Sequence, residues 1–129
     1  MIEETTGRLD FGTMRSAIER KDSEALLGFY AEDAELRIVY EALPEGRAFE
    51  LKGRAQIERY LRAVCDQDVV CVVRGEAVYG KRSVAFIESC SYSNGTPISI
   101  STTLEVREGL ISRQIDVVQR ANQDEGSEL

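Results

Sequence analysis

From Val69 onward the hydrophobic period of the chain changes from helical to two. Four long stretches follow: Val69–Tyr79, Arg82–Ser93, Pro97–Arg107 and Leu110–Gln119. Each alternates apolar and polar residues, as a half-buried strand does. The breaks between them are short: Gly80-Lys81, Asn94-Gly95 and Glu108-Gly109. Breaks of that length are hairpin connections, so the four strands are expected to form an antiparallel meander. Nothing constrains the fold more, because a meander must bury its apolar face against something else in the chain.

The first half supplies the cover. Met14, Ala17 and Ile18 recur at helical spacing within Thr13–Arg20. Lys21-Asp22 breaks that pattern, and Asp22 or Ser23 can cap a second helix expected to run through Tyr30, with Leu26, Phe29 and Tyr30 inward. Ala34, Leu36, Ile38 and Tyr40 then alternate with Glu35, Arg37 and Val39 as a strand. Residues 41–47, with Pro44 and Gly46, read as a turn, and Ala48–Lys52 as a short strand. Gly53 precedes the clearest helix, whose Ile57, Tyr60, Leu61, Val64 and Cys65 share one face. The order helix–helix–strand–strand–helix–four strands is α+β.

At 129 residues with 43% hydrophobic side chains, the chain suits one domain with a real core. We expect that domain over residues 11–120, a flexible acidic N-terminus at 1–10 and an acidic C-terminal tail at 121–129. A net charge of −7 argues against nucleic acid or an anionic membrane as a partner. The opening MIEETTGRLD lacks the basic-then-apolar order of a signal peptide, and no apolar run approaches the roughly 18–20 residues of a bilayer span; a cytoplasmic location is expected.

Histidine is absent, and the three cysteines Cys65, Cys71 and Cys90 contain no C-x-x-C pair. A zinc site with ordinary ligands and a Ser–His or Cys–His dyad are therefore not expected, nor is a cofactor. Each cysteine reads most simply as a small buried apolar residue.

Strand alternation nominates the residues facing the interior. Ile98, Ile100, Thr102, Leu104 and Val106 share one face of their strand, and Val84, Phe86, Glu88, Cys90 and Tyr92 one face of theirs. Glu88 interrupts an apolar row. In the last strand Ile111, Arg113, Ile115, Val117 and Gln119 are expected inward, which puts Asp116 on the opposite, convex face with Ser112, Gln114 and Val118. Glu88 and Arg113 are thus expected to pair in one cavity, with Tyr40, Tyr92 and Gln119 near its mouth, since two buried charges are held most cheaply against each other. Tyr30 and Tyr60 read as core aromatics with wet hydroxyls.

The segment Ala17–Leu36, with Tyr30-Ala31-Glu32-Asp33-Ala34, then Gly53-Arg54 before the third helix and Glu108-Gly109-Leu110-Ile111 before the last strand, resembles the nuclear transport factor 2-like superfamily, also called SnoaL-like or ketosteroid-isomerase-like. The resemblance covers about residues 11–120. It implies a cone-shaped, curved, mostly antiparallel mixed sheet of about six strands wrapped over three helices, with a pocket between them and a homodimer through the convex sheet face.

The resemblance also tests known chemistries. The tyrosine and base positions of a ketosteroid isomerase fall on Met14 and Ile38, and its protonated acid near Thr102; none can do that work. The water-activating Arg-x-Asp pair and further aspartate of a limonene epoxide hydrolase fall on Glu88, Cys90 and Gln119, which reverse or lack the needed groups. What is left is a pocket protein for a small, largely apolar molecule, or a polyketide-cyclase-like, isomerase or lyase enzyme. Such an enzyme would use Glu88 or Asp116 as general acid/base.

Overall fold

The computed structural model describes residues 9–41, 47–93, 95 and 97–120. Residues 1–8 of the acidic N-terminus expected at 1–10, the whole tail at 121–129, most of the turn at 41–47, and Asn94 of one hairpin lie outside them; Leu9, near the end of that first segment, is buried.

Asp10 caps helix α1 (Phe11–Arg20), accepting from the Thr13 amide at 3.2 Å and the Thr13 hydroxyl at 2.8 Å. Phe11, Met14 and Ala17 are its buried stripe. Lys21 closes it in the left-handed region at φ 57°, and Asp22 at once caps α2 (Ser23–Leu27) through the Ala25 amide. That helix stops three residues before the expected Tyr30. The physical reason is strand pairing: the Ile111 amide donates to the Phe29 carbonyl at 2.8 Å, so Tyr30 already opens strand β1 (Tyr30–Tyr40).

After β2 (Ala48–Lys52), Gly53 at φ 88° leads into helix α3 (Arg54–Cys65), which buries Ile57 and Leu61. Four strands complete the chain: β3 (Val69–Tyr79), β4 (Ser83–Tyr92), β5 (Pro97–Arg107) and β6 (Leu110–Arg120). Between β5 and β6, Glu108 and Gly109 both take positive φ (53° and 80°), the mark of a type I′ hairpin turn.

The six strands lie in the order β2-β1-β6-β5-β4-β3, a mixed sheet in which only β1 and β6 run parallel. The sheet does not close; β3 is a free edge. Helix α1 covers that edge. Glu19 accepts the Val73 amide at 2.9 Å and Arg15 donates to the Val73 carbonyl at 3.2 Å. Satisfying unpaired edge groups from a helix is one way to keep a second strand from adding there. No helix among the described residues is long and apolar enough to cross a membrane.

Of the three register shifts among the described residues of the sheet, one each in β1, β3 and β6, the last two bear on the wall described below. In β3 the register slips between Arg74 and Val78, next to Gly75 at φ 63°, and the strand bends. In β6 the pairing jumps from Val106–Ile111 to Glu105–Arg113, leaving Ser112 as an extra, unpaired residue. One inserted residue flips every side chain beyond it to the other face.

Candidate functional site

Because partners across a ladder share a face, the register lays out the concave wall row by row. One row is Phe86, Thr102, Asp116 and Ile38; the next is Val73, Glu88, Ile100, Val118 and Tyr40. Beyond it Cys71 and Cys90 face each other. Helices α1 to α3 close over these rows and leave a cavity of about 90 Å³. Its walls are mostly apolar, with Met14, Ile18, Leu26, Leu61, Val64, Phe86 and Ile100, into which Tyr30, Tyr60, Glu88, Gln114 and Asp116 intrude.

Asp116 is the best-held group. The Thr102 hydroxyl donates to its Oδ1 at 3.0 Å, and Gln114 Nε2 donates to the same oxygen at 2.8 Å. Gln114 is fixed in turn by the Tyr30 hydroxyl, which donates to its Oε1 at 2.6 Å. Burial pushes the Asp116 carboxyl up to about 6, and the two donated hydrogen bonds pull the other way without overcoming it. Tyr30 is itself raised well above its ordinary value, first by burial and then by Asp116.

Glu88 differs. It is partly buried, lines the cavity, and makes no hydrogen bond or ion pair with any described residue. Burial, and then the neighbouring Asp116, raises its carboxyl to about 7. Asp116 ionises first and its charge holds the proton on Glu88, so near neutrality Asp116 is the base of the cavity and Glu88 its acid. Tyr60 is raised too, mainly by burial, so its hydroxyl keeps its proton and stays a donor.

The inward face expected for β4 and β5 is the one observed: Val84, Phe86, Cys90, Thr102 and Leu104 are buried and Glu88 reaches the cavity. For β6 the expectation is overturned. Arg113 is exposed and pairs with Glu35 at 3.5 Å on the outer surface, so it forms no pair with Glu88. Gln119 is exposed as well and donates to Glu41 at 2.8 Å rather than guarding a cavity mouth. Asp116, Gln114 and Val118 face inward instead, and Asp116 is buried at 7% exposure. The bulge at Ser112 is the cause: the parity that holds at Ile111 is reversed from Arg113 on.

Tyr40 and Tyr92 are half-buried beside the cavity without forming its wall. The Tyr40 ring stands edge-on to Phe49 at 5.6 Å, and burial followed by the charges of Tyr92 and Asp116 raises its hydroxyl. Sequence reasoning missed Gln114 and the buried Tyr30–Gln114–Asp116 chain altogether. Cys71 and Cys90, expected as separate apolar residues, are direct cross-strand partners joined as a disulfide, with Cα atoms 4.1 Å apart. Cys65 is the free cysteine and also lines the cavity.

A mixed sheet coned over three helices with a cavity at its concave face defines a class of fold, and solved structures share it. The chain is similar to an NTF2-like protein of unknown function from Mesorhizobium loti (TM-score 0.72, 16% identity, 84% of this chain and 87% of that one). It is also similar to a candidate ketosteroid isomerase from Kribbella flavida (TM-score 0.67, 20% identity, 87% and 76%). A third likeness is to a candidate polyketide cyclase from Xanthomonas campestris pv. campestris (TM-score 0.60, 21% identity, 90% and 90%). No protein-family model and no curated protein matches the sequence. The chain has the NTF2-like fold.

Proposed function

We propose that this domain, taken as residues 11–120, binds a small, largely apolar carbonyl compound in its cavity and moves a proton on it. The observation that carries this reading is two carboxyl groups, Glu88 and Asp116, in one mostly apolar cavity, with no ion pair to either among the described residues. Lys21 reaches the cavity wall, but its ammonium donates to the Gln67 carbonyl at 2.7 Å.

Proton abstraction beside a carbonyl asks for a base within reach, an acid to return the proton, and a donor for the developing oxyanion. Asp116, the first of the two to ionise, is the base through the oxygen that accepts from neither Thr102 nor Gln114. Glu88, which keeps its proton to higher pH, is the acid that returns it, and the Tyr60 hydroxyl is the oxyanion donor. This is the chemistry of an isomerase, a lyase or an aldol-type cyclase. The volume favours a single ring over a steroid, since drug-sized ligands occupy roughly 300–1,000 Å³ and this cavity offers about 90 Å³.

The test is deuterium exchange at the α-carbon of cyclohexanone or cyclopent-2-enone in D2O, followed by proton NMR. Exchange faster than buffer is expected, falling roughly 10²–10⁴-fold in a folded E88Q/D116N double variant, the range of general acid–base contributions. Binding without exchange would reduce the function to a pocket protein. Neither binding nor exchange would remove the reading.

A homodimer through the convex face belongs to the same proposal. Val70 (67% exposed), Val72, Ile87 and Ile115 stand out on that face among serines and threonines. Light scattering on the wild type and on V72K separates dimer from monomer.

A further inference from the structure

The cross-strand pair Cys71–Cys90 has a third neighbour. One oxygen of Glu88 and the two sulfurs all lie within 4.8 Å of one another. All three side chains are on the concave side of the β3–β4 ladder, and Cys71 and Glu88 line the cavity. Glu88 has no hydrogen bond or ion pair among the described residues to hold it elsewhere. A thiolate pair with a carboxylate, open to a volume that admits water, matches a site with three protein ligands and one exchangeable position. Oxygen and sulfur donors together, with no nitrogen donor, suit zinc and softer divalent ions over magnesium or calcium.

We propose that in the reduced protein Cys71, Cys90 and Glu88 bind one thiophilic divalent cation, with a cavity water as the fourth ligand. The site forms from the disulfide by reaction with two equivalents of a small thiol. The S–S bond breaks, each cysteine sulfur takes one hydrogen, and the reductant leaves as its own disulfide. The cation then displaces the two thiol protons, and any proton on Glu88, to solvent. Its positive charge also answers the uncompensated carboxyls of the cavity.

The site uses the same cavity as the proton-transfer reading but does not depend on it, because Asp116 is outside the ligand set and no organic ligand is needed. The experiment uses the full chain, reduced with dithiothreitol and desalted without oxygen, titrated with Cd²⁺ and separately with Zn²⁺. One equivalent of Cd²⁺ is expected to bind with a thiolate-to-metal absorption in the ultraviolet, and the disulfide form is expected to show neither. Losing an outer-shell partner costs roughly 10–100-fold in affinity; C71S should lose at least about 100-fold and E88Q at least about tenfold. C65S should bind like the wild type. The comparison of reduced with oxidised wild type needs no mutation, so it decides the matter even where a variant folds poorly. Absence of the absorption, equal binding by the disulfide form, wild-type affinity in E88Q, or loss in C65S would each overturn the site.

Discussion

The two carboxyl-bearing walls of the cavity are built on opposite principles. On β6, Asp116 sits in a chain of side-chain hydrogen bonds that runs from Tyr30 through Gln114 and is joined by Thr102. On β4, Glu88 stands in the same apolar interior with no hydrogen bond or ion pair among the described residues. Both carboxyls are raised by burial, so desolvation alone does not distinguish them. What does is orientation: hydrogen bonds fix one group in place, and none among the described residues fixes the other. A network of this kind holds a charge-bearing group still, and an unpartnered group stays available for a proton or a cation.

The largest expected effect breaks the fixed side. Asp116 has a folded-state value near 6 against an ordinary 3.8. A carboxyl raised on folding favours the native state when protonated, so that stability is full below pH about 4 and is lost as pH rises through 6. The shift corresponds to about 2–3 kcal/mol at 1.36 kcal/mol per unit. D116N, whose amide oxygen can still accept from Thr102 and Gln114, should therefore be more stable than the wild type at pH 8 and no more stable at pH 4. Urea unfolding at both pH values reads the difference; a D116N variant whose stability relative to the wild type is the same at pH 4 and pH 8 would contradict the burial of this group.

T102V comes next. Removing a donor from a buried acceptor costs about 1–3 kcal/mol, and the cost should be greater at pH 8, where Asp116 carries its charge. The same variant should raise the Asp116 titration, because the lost hydrogen bond is one that lowers it. Carboxyl carbon NMR follows both carboxyls. In D116N it should also show Glu88 titrating below its value near 7, since Asp116 is the second cause of that rise; an unmoved Glu88 would mean that the two walls do not communicate.

The smallest effect is at Arg113. Its contact with Glu35 is a surface ion pair, worth about 0–1 kcal/mol, so R113A should barely change the denaturation midpoint and should leave the titration of Glu88 where it was. A shift in Glu88 on that substitution would restore the pairing that the geometry removes.

How much of this was legible depends on where periodicity holds. β4 and β5 are regular opposite each other, and counting by two gave Glu88, Thr102 and Leu104 their true face. β6 carries one extra residue at Ser112, and the same counting put Arg113 and Gln119 inside and Asp116 outside. The bulge at Ser112 is visible only in the pairing of β6 with its neighbours, where the partners in both β5 and β1 pass from Ile111 to Arg113. The Cys71–Cys90 pair was hidden for a similar reason: residues separated by 19 positions meet only through the β3–β4 register.

The sequence by itself determined the element order, the meander, a helix cap at Asp22 or Ser23 and the apolar stripes that cover the sheet. These are local matters, set by propensity, capping and period. It also placed Glu88 in an apolar row. Tertiary structure alone decided that Asp116 joins it, that Arg113 does not, and that two distant cysteines stand beside it. Those outcomes follow from strand register, and register is fixed by the packing of the whole sheet rather than by any one strand.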